Sequence, residues 1–269
     1  MKEEQAHKAV RERYGKIAKT KTEEPCGCGC CGGSSSSEEI GYSKGELASV
    51  PQGADLNLGC GNPVAMASLK EGETVIDLGS GGGLDCFLAS KKVGAKGKVI
   101  GIDMTAEMLE RARANCKKGN YKNVEFRLGE IENMPIADNT GDIIISNCVV
   151  NLSPDKERVF KEAFRVLKPK GRLMISDMVL LKDLPDKVKN SVLAYVGCVA
   201  GADKKDVYLG KMRQAGFGEV EVVAENHLPE TMLSEPDIKA FVEEQKLTKQ
   251  EIANISDSVV SIKVSAIKP

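Results

Sequence analysis

Val75-Ile76-Asp77-Leu78-Gly79-Ser80-Gly81-Gly82-Gly83-Leu84-Asp85-Cys86 is the stretch that decides the fold. A short β-branched run ends in an acid, turns through clustered glycines and opens an apolar-periodic segment, which reads as strand, glycine-rich turn and helix. The pattern returns in Val99-Ile100-Gly101-Ile102-Asp103, with Thr105 set to cap a helix carrying Met108, Leu109, Ala112 and Cys116. Asp77 and Asp103 are thus expected at two strand ends facing one crevice, where ligands of open α/β sheets sit. Gly79 and Gly81 let the backbone approach such a ligand, and Asp103 can accept hydrogen bonds from ribose hydroxyls.

Outward from this stretch, Val124 to Leu128 reads as a third strand ending near Glu130, and Ile143-Ile144-Ile145 as a fourth ending at Ser146-Asn147-Cys148. Ser153-Pro154 opens a helix through Leu167, Lys168 to Gly171 turns it, and Leu173-Met174-Ile175 is a fifth strand. Strict alternation of strand and helix predicts a doubly wound α/β sheet. Beyond it the pattern predicts a helix over 186–195, a glycine-rich turn holding Cys198, a helix capped by Asp203, and a strand over Val220 to Val223. Asn62-Pro63 is expected to start a helix through Leu69. Thr248-x-x-Glu251 is a capping box, and Val260, Ile262, Val264 and Ala266 alternate with polar residues as a half-exposed final edge strand.

The chain so divides into residues 1–40, 41–225 and 226–269. The first part holds an amphipathic helix (Ala6, Val10, Tyr14, Ile17) expected to lie on the domain as a lid, followed by a mobile Cys-, Gly- and Ser-rich loop. The second is the ligand-binding domain, and the third carries cap helices and the last strand.

A net charge of −1 over 269 residues argues for neither a nucleic-acid nor a membrane-surface partner. No uncharged apolar run approaches a membrane span, and the N-terminus is too polar for a secretory signal, so a cytoplasmic protein is expected. Nine cysteines, an odd number without a signal peptide, argue against a disulfide framework and for thiols with chemistry to perform.

Cys86 falls in the first turn of a helix, where helix-end polarity is expected to favour thiolate. Cys148 follows the fourth strand, and Cys198 lies in Gly197-Cys198-Val199-Ala200-Gly201-Ala202. The three are expected to converge at the ligand edge of the sheet and to suit a soft, thiophilic ion. Cys60 is balanced between packing and function, and Cys116 reads as structural. Zinc fits poorly, because only His7 and His227 exist and neither is spaced with a cysteine pair. The run Cys26 to Cys31 leaves zinc or copper(I) open.

An acid before the glycine loop and another, Asp85, at the helix start would repel a pyrophosphate, which disfavours a nicotinamide dinucleotide. Asp77-x-Gly79-x-Gly81-x-Gly83 followed by Ile102-Asp103-Met104-Thr105 resembles the Rossmann-like, class I S-adenosylmethionine methyltransferases. With Asp85-Cys86, Ser146-Asn147-Cys148-Val149-Val150-Asn151-Leu152 and Cys198-x-x-Gly201-Ala202 added, residues 10–220 look like the arsenite methyltransferases. That resemblance implies a cytoplasmic enzyme that methylates trivalent arsenic, free or as a thiol complex, from S-adenosylmethionine. It implies Cys86, Cys148 and Cys198 as arsenic ligands and Cys30 or Cys31 as a further redox thiol. A disulfide of Cys86 with Cys31 or Cys30 would form in turnover and be reset by thioredoxin or glutathione. Asp77 and Gly79 would cradle the methionyl part of the cofactor, Asp103 the ribose, Met104 the adenine face and Glu130 or its neighbouring backbone the adenine edge, with Ser80, Gly81 and Asn147 also binding the cofactor. Tyr14 either closes the pocket or only packs the helix. A methyltransferase for a small organic acceptor and a thiol-based metalloid sensor are the competing readings.

Overall fold

The computed structural model describes residues 3–20, 36–189, 191–227 and 242–269. Strands β1 (Thr74–Leu78), β2 (Lys98–Asp103), β3 (Val124–Leu128), β4 (Gly141–Asn147), β5 (Leu167–Leu180), β6 (Gly218–His227) and β7 (Val259–Ile267) form one sheet in the order β3-β2-β1-β4-β5-β7-β6. The first five run parallel, and β7 is antiparallel to both of its neighbours. The helices include α1 (Glu3–Thr20), α2 (Ser36–Glu39), α3 (Lys44–Ala48), α4 (Pro63–Met66), α5 (Leu84–Val93), α6 (Ala106–Lys118), α7 (Lys156–Val166), α8 (Asp186–Lys189), α9 (Val192–Val196), α10 (Lys205–Gln214) and α11 (Lys249–Ser256).

Near-continuous apolar strands are what a sheet covered on both faces requires. Val75, Val99, Ile143, Ile145 and Met174 pack with α5 and α6 residues on one face, while Ile76, Ile100, Ile144, Leu173 and Ile175 pack with α7 and α10 on the other. On α7, Val159, Phe160, Ala163 and Val166 form the buried stripe, and Phe160 meets Tyr208 of α10 edge to face at 5.3 Å. Each large apolar side chain so covered is worth ~1.5–3 kcal/mol. The sheet is thus doubly wound, as the alternation of strand and helix predicts.

The final strand departs from expectation. β7 is not a half-exposed edge but is inserted between β5 and β6, and the edge strand is β6. Its polar positions split: Ser261 is buried and donates its hydroxyl to the Cys60 carbonyl at 3.0 Å, while Lys263 and Ser265 stay half-buried between buried Ile262, Val264 and Ala266 as the alternation predicts. Residues 259–267 therefore share a sheet with the central domain.

Smaller differences concern element ends. Lys168 to Gly171 form a bulge inside β5, with the register moving from Gly141–Leu167 to Ile143–Arg172. The helix at Asn62-Pro63 ends at Met66, and residues 186–195 form parts of two short helices, α8 and α9. Thr105 makes no side-chain cap bond; its N–H donates instead to Asp103 at 2.8 Å. Most of the expected mobile loop over Cys26 to Ser37, and residues 228–241 of the cap helices expected between 226 and 256, lie outside the described residues.

Candidate functional site

Strand order reverses between β1, flanked by β2, and β4, which leads on to β5, and at such a switch point the loops after β1 and β4 diverge to leave a crevice. A cavity opens there, at the place where open α/β sheets take their ligands. Gly79, Gly81, Asp103, Met104, Thr105, Met108, Gly129, Asn147 and Cys148 are among the residues that line it.

The turn after β1 needs its glycines. Gly79 has φ of +70°, and a Cβ there would come within 2.5 Å of Val149. Asp103 accepts the Gly81 N–H at 2.9 Å, which ties the end of β2 to this loop. A Cβ at Gly81 would meet nothing within 4 Å, so the backbone here borders open space that a ligand can fill. The buried Ser80 and Ser146 hydroxyls next to the turn lack a hydrogen-bond partner among the described residues.

Helix α1 closes one side of the cavity. His7, Val10 and Tyr14 contribute to its lining. Buried His7 meets Glu132 at 3.0 Å and Glu130 at 3.4 Å, Arg11 pairs with Glu130, and Tyr14 donates its hydroxyl to the Val196 carbonyl at 3.3 Å. A helix from the start of the chain is thereby fastened to the β3–β4 connection and to α9. Tyr14 does both things that its position allows: it packs the helix and it lines the pocket.

At the other end of the cavity lies the sulfur cluster. Cys60 and Cys148 are joined in a disulfide with Cα atoms 5.8 Å apart. Asn147 positions this pair: its Oδ1 accepts the Cys60 N–H at 3.0 Å, and its Nδ2 donates to the Gly61 carbonyl at 2.7 Å and the Tyr42 hydroxyl at 2.9 Å. Close approach of the Cys60 loop also demands Gly61, where a Cβ would fall 1.9 Å from the Ser176 hydroxyl. The Cys198 thiol donates to the Cys148 carbonyl at 3.0 Å. Cys148 and Cys198 have φ of +58° and +64°, left-handed values that non-glycine residues adopt at a cost and that collect at functional sites. Burial, with Asp177 nearby, pushes the Cys198 thiol up to about 12.

Beneath the disulfide, Asp177 is fully buried on β5. It accepts from Asn151 Nδ2 at 2.8 Å, the Met178 N–H at 2.9 Å and the Tyr208 hydroxyl at 3.1 Å. One of its oxygens and the sulfurs of Cys60 and Cys148 all lie within 4.8 Å of one another. Burial pushes its carboxyl up to about 7.

Several expectations need correction. Cys86 does not join Cys148 and Cys198: it packs in the core with Val75, Phe87 and Val99, and the sulfur that meets Cys148 is that of Cys60. Nor is Cys86 poised as thiolate. Its thiol donates to Asp77 at 3.1 Å, and burial together with that carboxylate pushes its pKa well up, outweighing the helix end. Among the described residues Cys86 is a free thiol, so the expected bond to Cys30 or Cys31 is not seen, and those two lie outside the described residues.

Asp77, Ser80 and Glu130 are not among the cavity's lining residues, whereas Glu132 is. Asp77 turns inward beside Asp85, burial and mutual repulsion raise its carboxyl, and Asp85 rises to about 6, chiefly through burial. Glu130 is held by Arg11 and His7. Sequence reasoning passed over Cys60 as undecided and missed Tyr42, His7, Glu132 and Asp177. The paired glycines at 59 and 61 around Cys60 were the one local sign of a tight approach.

Residues 69–216 match the family described as "Methyltransferase domain". An arsenite methyltransferase of Halobacterium salinarum is 48% identical over 239 residues, covering 84% of this chain and 61% of that protein. One from Aquipseudomonas alcaligenes is 37% identical over 225 residues, with coverages of 81% and 63%. The chain therefore spans about three fifths of the length of these curated relatives. Among solved structures, an arsenic(III) S-adenosylmethionine methyltransferase from Chlamydomonas reinhardtii superposes with a TM-score of 0.61 at 30% identity, covering 87% of this chain and 73% of that one. No helix among the described residues is long and apolar enough to cross a membrane. The chain belongs to the methyltransferase-domain family.

Proposed function

We propose that the protein methylates trivalent arsenic held by cysteine thiolates, using S-adenosylmethionine. The observation that carries this reading is the Cys60–Cys148 sulfur pair at the end of β4, with the Cys198 thiol bonded to the Cys148 carbonyl beside it and Cys148 bordering the cavity. Similarity to relatives described as arsenite methyltransferases supports the same reading.

The residues present fit the cofactor. Open backbone at Gly81 gives it room, and Asp103 on the cavity wall gives it a polar contact. Gly79, Gly81, Asp103, Met104 and Asn147 would hold it from the sheet side, and His7 and Tyr14 from α1. When bound, S-adenosylmethionine supplies an electrophilic methyl group on a sulfonium sulfur.

The remaining work falls to the chain's own groups. Three sulfurs bind arsenic in a pyramid and leave its lone pair free, so the acceptor needs no proton removed and no general base. Positioning of reactants near contact is worth ~7–11 kcal/mol. The lid excludes water, and Asn147 keeps the Cys60 loop against Cys148. Methylation oxidises arsenic by two electrons. Their return from two thiolates leaves arsenic trivalent and the sulfurs bonded, the state in which Cys60 and Cys148 stand. A dithiol or glutathione would then reopen the pair by exchange.

Incubation of the purified chain with arsenite, S-adenosylmethionine and thiol, followed by mass spectrometry of the arsenic species, tests the reading. Methylarsenicals are expected from wild type and not from Cys60→Ser or Cys148→Ser. Unmethylated arsenic from the wild-type protein rejects it.

A further inference from the structure

We propose that, once the Cys60–Cys148 bond is reduced, the two thiolates and the Asp177 carboxylate form a site for a soft divalent cation such as Cd²⁺ or Zn²⁺. This deepens the reading above, on which it rests only in taking the pair to be reducible; the ligand set differs, with carboxylate oxygen in place of the third sulfur.

Asp177 is the group that methyl transfer leaves without a task. The chain commits Asn151, the Met178 N–H and Tyr208 to holding a fully buried carboxylate under two sulfurs. Both amide donors go to Oδ1, and Oδ2 receives only the Tyr208 hydroxyl, so Oδ2 keeps a lone pair on offer. The sulfurs and the carboxylate oxygen lie within 4.8 Å of one another. Around a zinc-sized ion with M–S bonds of ~2.3 Å and M–O bonds of ~2.1 Å, ligand atoms sit roughly 3.5–3.8 Å apart, so small shifts on reduction suffice.

Ligand chemistry separates the two occupants. Arsenic(III) bound by three thiolates is neutral and has no use for a carboxylate. A divalent ion on two thiolates and one carboxylate carries a net charge of −1, and the buried Lys156 ammonium, whose field acts on Asp177, offsets it. Mixed sulfur and oxygen ligation suits zinc-like ions. Bound there, such an ion occupies both sulfurs and excludes arsenic.

The test is a Cd²⁺ titration, followed by thiolate-to-cadmium absorption, of the full chain carrying Cys26→Ser, Cys28→Ser, Cys30→Ser and Cys31→Ser, which removes the competing N-terminal thiols. One Cd²⁺ per chain is expected for the reduced protein and none for the oxidised. On this background Asp177→Asn should weaken Cd²⁺ binding by about tenfold or more and arsenite binding by less than roughly threefold. Unchanged cadmium affinity, or equal losses for both ligands, overturns the proposal. If the parent fails to bind arsenite yet binds cadmium in an Asp177-dependent way, the arsenic reading falls and the cation site stands. Should Asp177→Asn not fold, anomalous scattering from cadmium-soaked crystals of the reduced parent decides. An ion bonded to Asp177 supports the proposal, and one held by sulfur alone overturns it.

Discussion

The Asn147 side chain accepts the backbone N–H of Cys60 at 3.0 Å, across a sequence separation of 87 residues. One amide therefore sets the distance between two sulfur-bearing segments. Asn147→Ala would leave the Cys60 N–H and the Gly61 carbonyl without their partner, at ~1–3 kcal/mol for each group left unsatisfied. The Cys60 loop should then drift from Cys148. Equilibration with glutathione buffers is expected to show the pair less readily oxidised in the variant, and arsenite affinity should fall by about tenfold or more. A redox equilibrium and arsenite affinity unchanged from wild type would show that Asn147 does not position the pair.

Cys60→Ser and Cys86→Ser should part company. Serine at 86 can still donate to Asp77, so that variant is expected to lose about 1 kcal/mol of stability and keep methylation within a factor of a few. Serine at 60 removes one of the paired sulfurs and should abolish methylation while leaving S-adenosylmethionine binding intact. Arsenic speciation and cofactor titration on the two variants check this. Loss of activity in Cys86→Ser with the fold preserved would restore Cys86 to the site.

The contrast between these two cysteines shows what was legible in the sequence. β1 to β4, the glycine turn and the placement of Cys148 after β4 and of Cys198 in a glycine-rich turn follow from local pattern, because β-branched runs and glycine spacing act within a few residues. Cys86 was misjudged because position in a helix's first turn gives the field at the backbone but not the side chain's direction, which is set by packing against β1. Cys60 was undecided because its partner stands 88 residues away. His7 and Glu132 meet across 125 residues, and no local signal marks such a pair. The alternation in residues 259–267 is real from Ile262 onward, but it reads as an edge strand because strand order is invisible to periodicity.

The His7 fastening should be felt at the cofactor. His7→Ala removes the link from α1 to Glu132 and leaves that buried carboxylate with one fewer donor, a cost of ~1–3 kcal/mol. S-adenosylmethionine binding, measured calorimetrically, should weaken by about tenfold, and α1 should be cut faster by protease in the absence of cofactor. Wild-type affinity together with wild-type protease resistance would count against α1 as a closing element.

Asp85 gives a pH signature. Burial raises its carboxyl to about 6, with Tyr42 and Asn147 pulling it back. A folded-state value above the unfolded one means that the native state binds the extra proton. Stability is therefore full below the unfolded value and falls as pH rises through 6, by on the order of 3 kcal/mol. Asp85→Asn abolishes the titration. Urea unfolding of both proteins should show the variant gaining on wild type between pH 4 and pH 8, and a difference that stays flat over that interval would refute the assignment.

The slot that β7 fills has a consequence for biosynthesis. Until residues 259–267 have left the ribosome, β5 lacks its lateral neighbour and β6 has nothing to pair with. The Cys60 carbonyl likewise waits for the Ser261 hydroxyl. The parallel half can form before β7 is made, but the sulfur pair reaches its mature setting only when β7 docks.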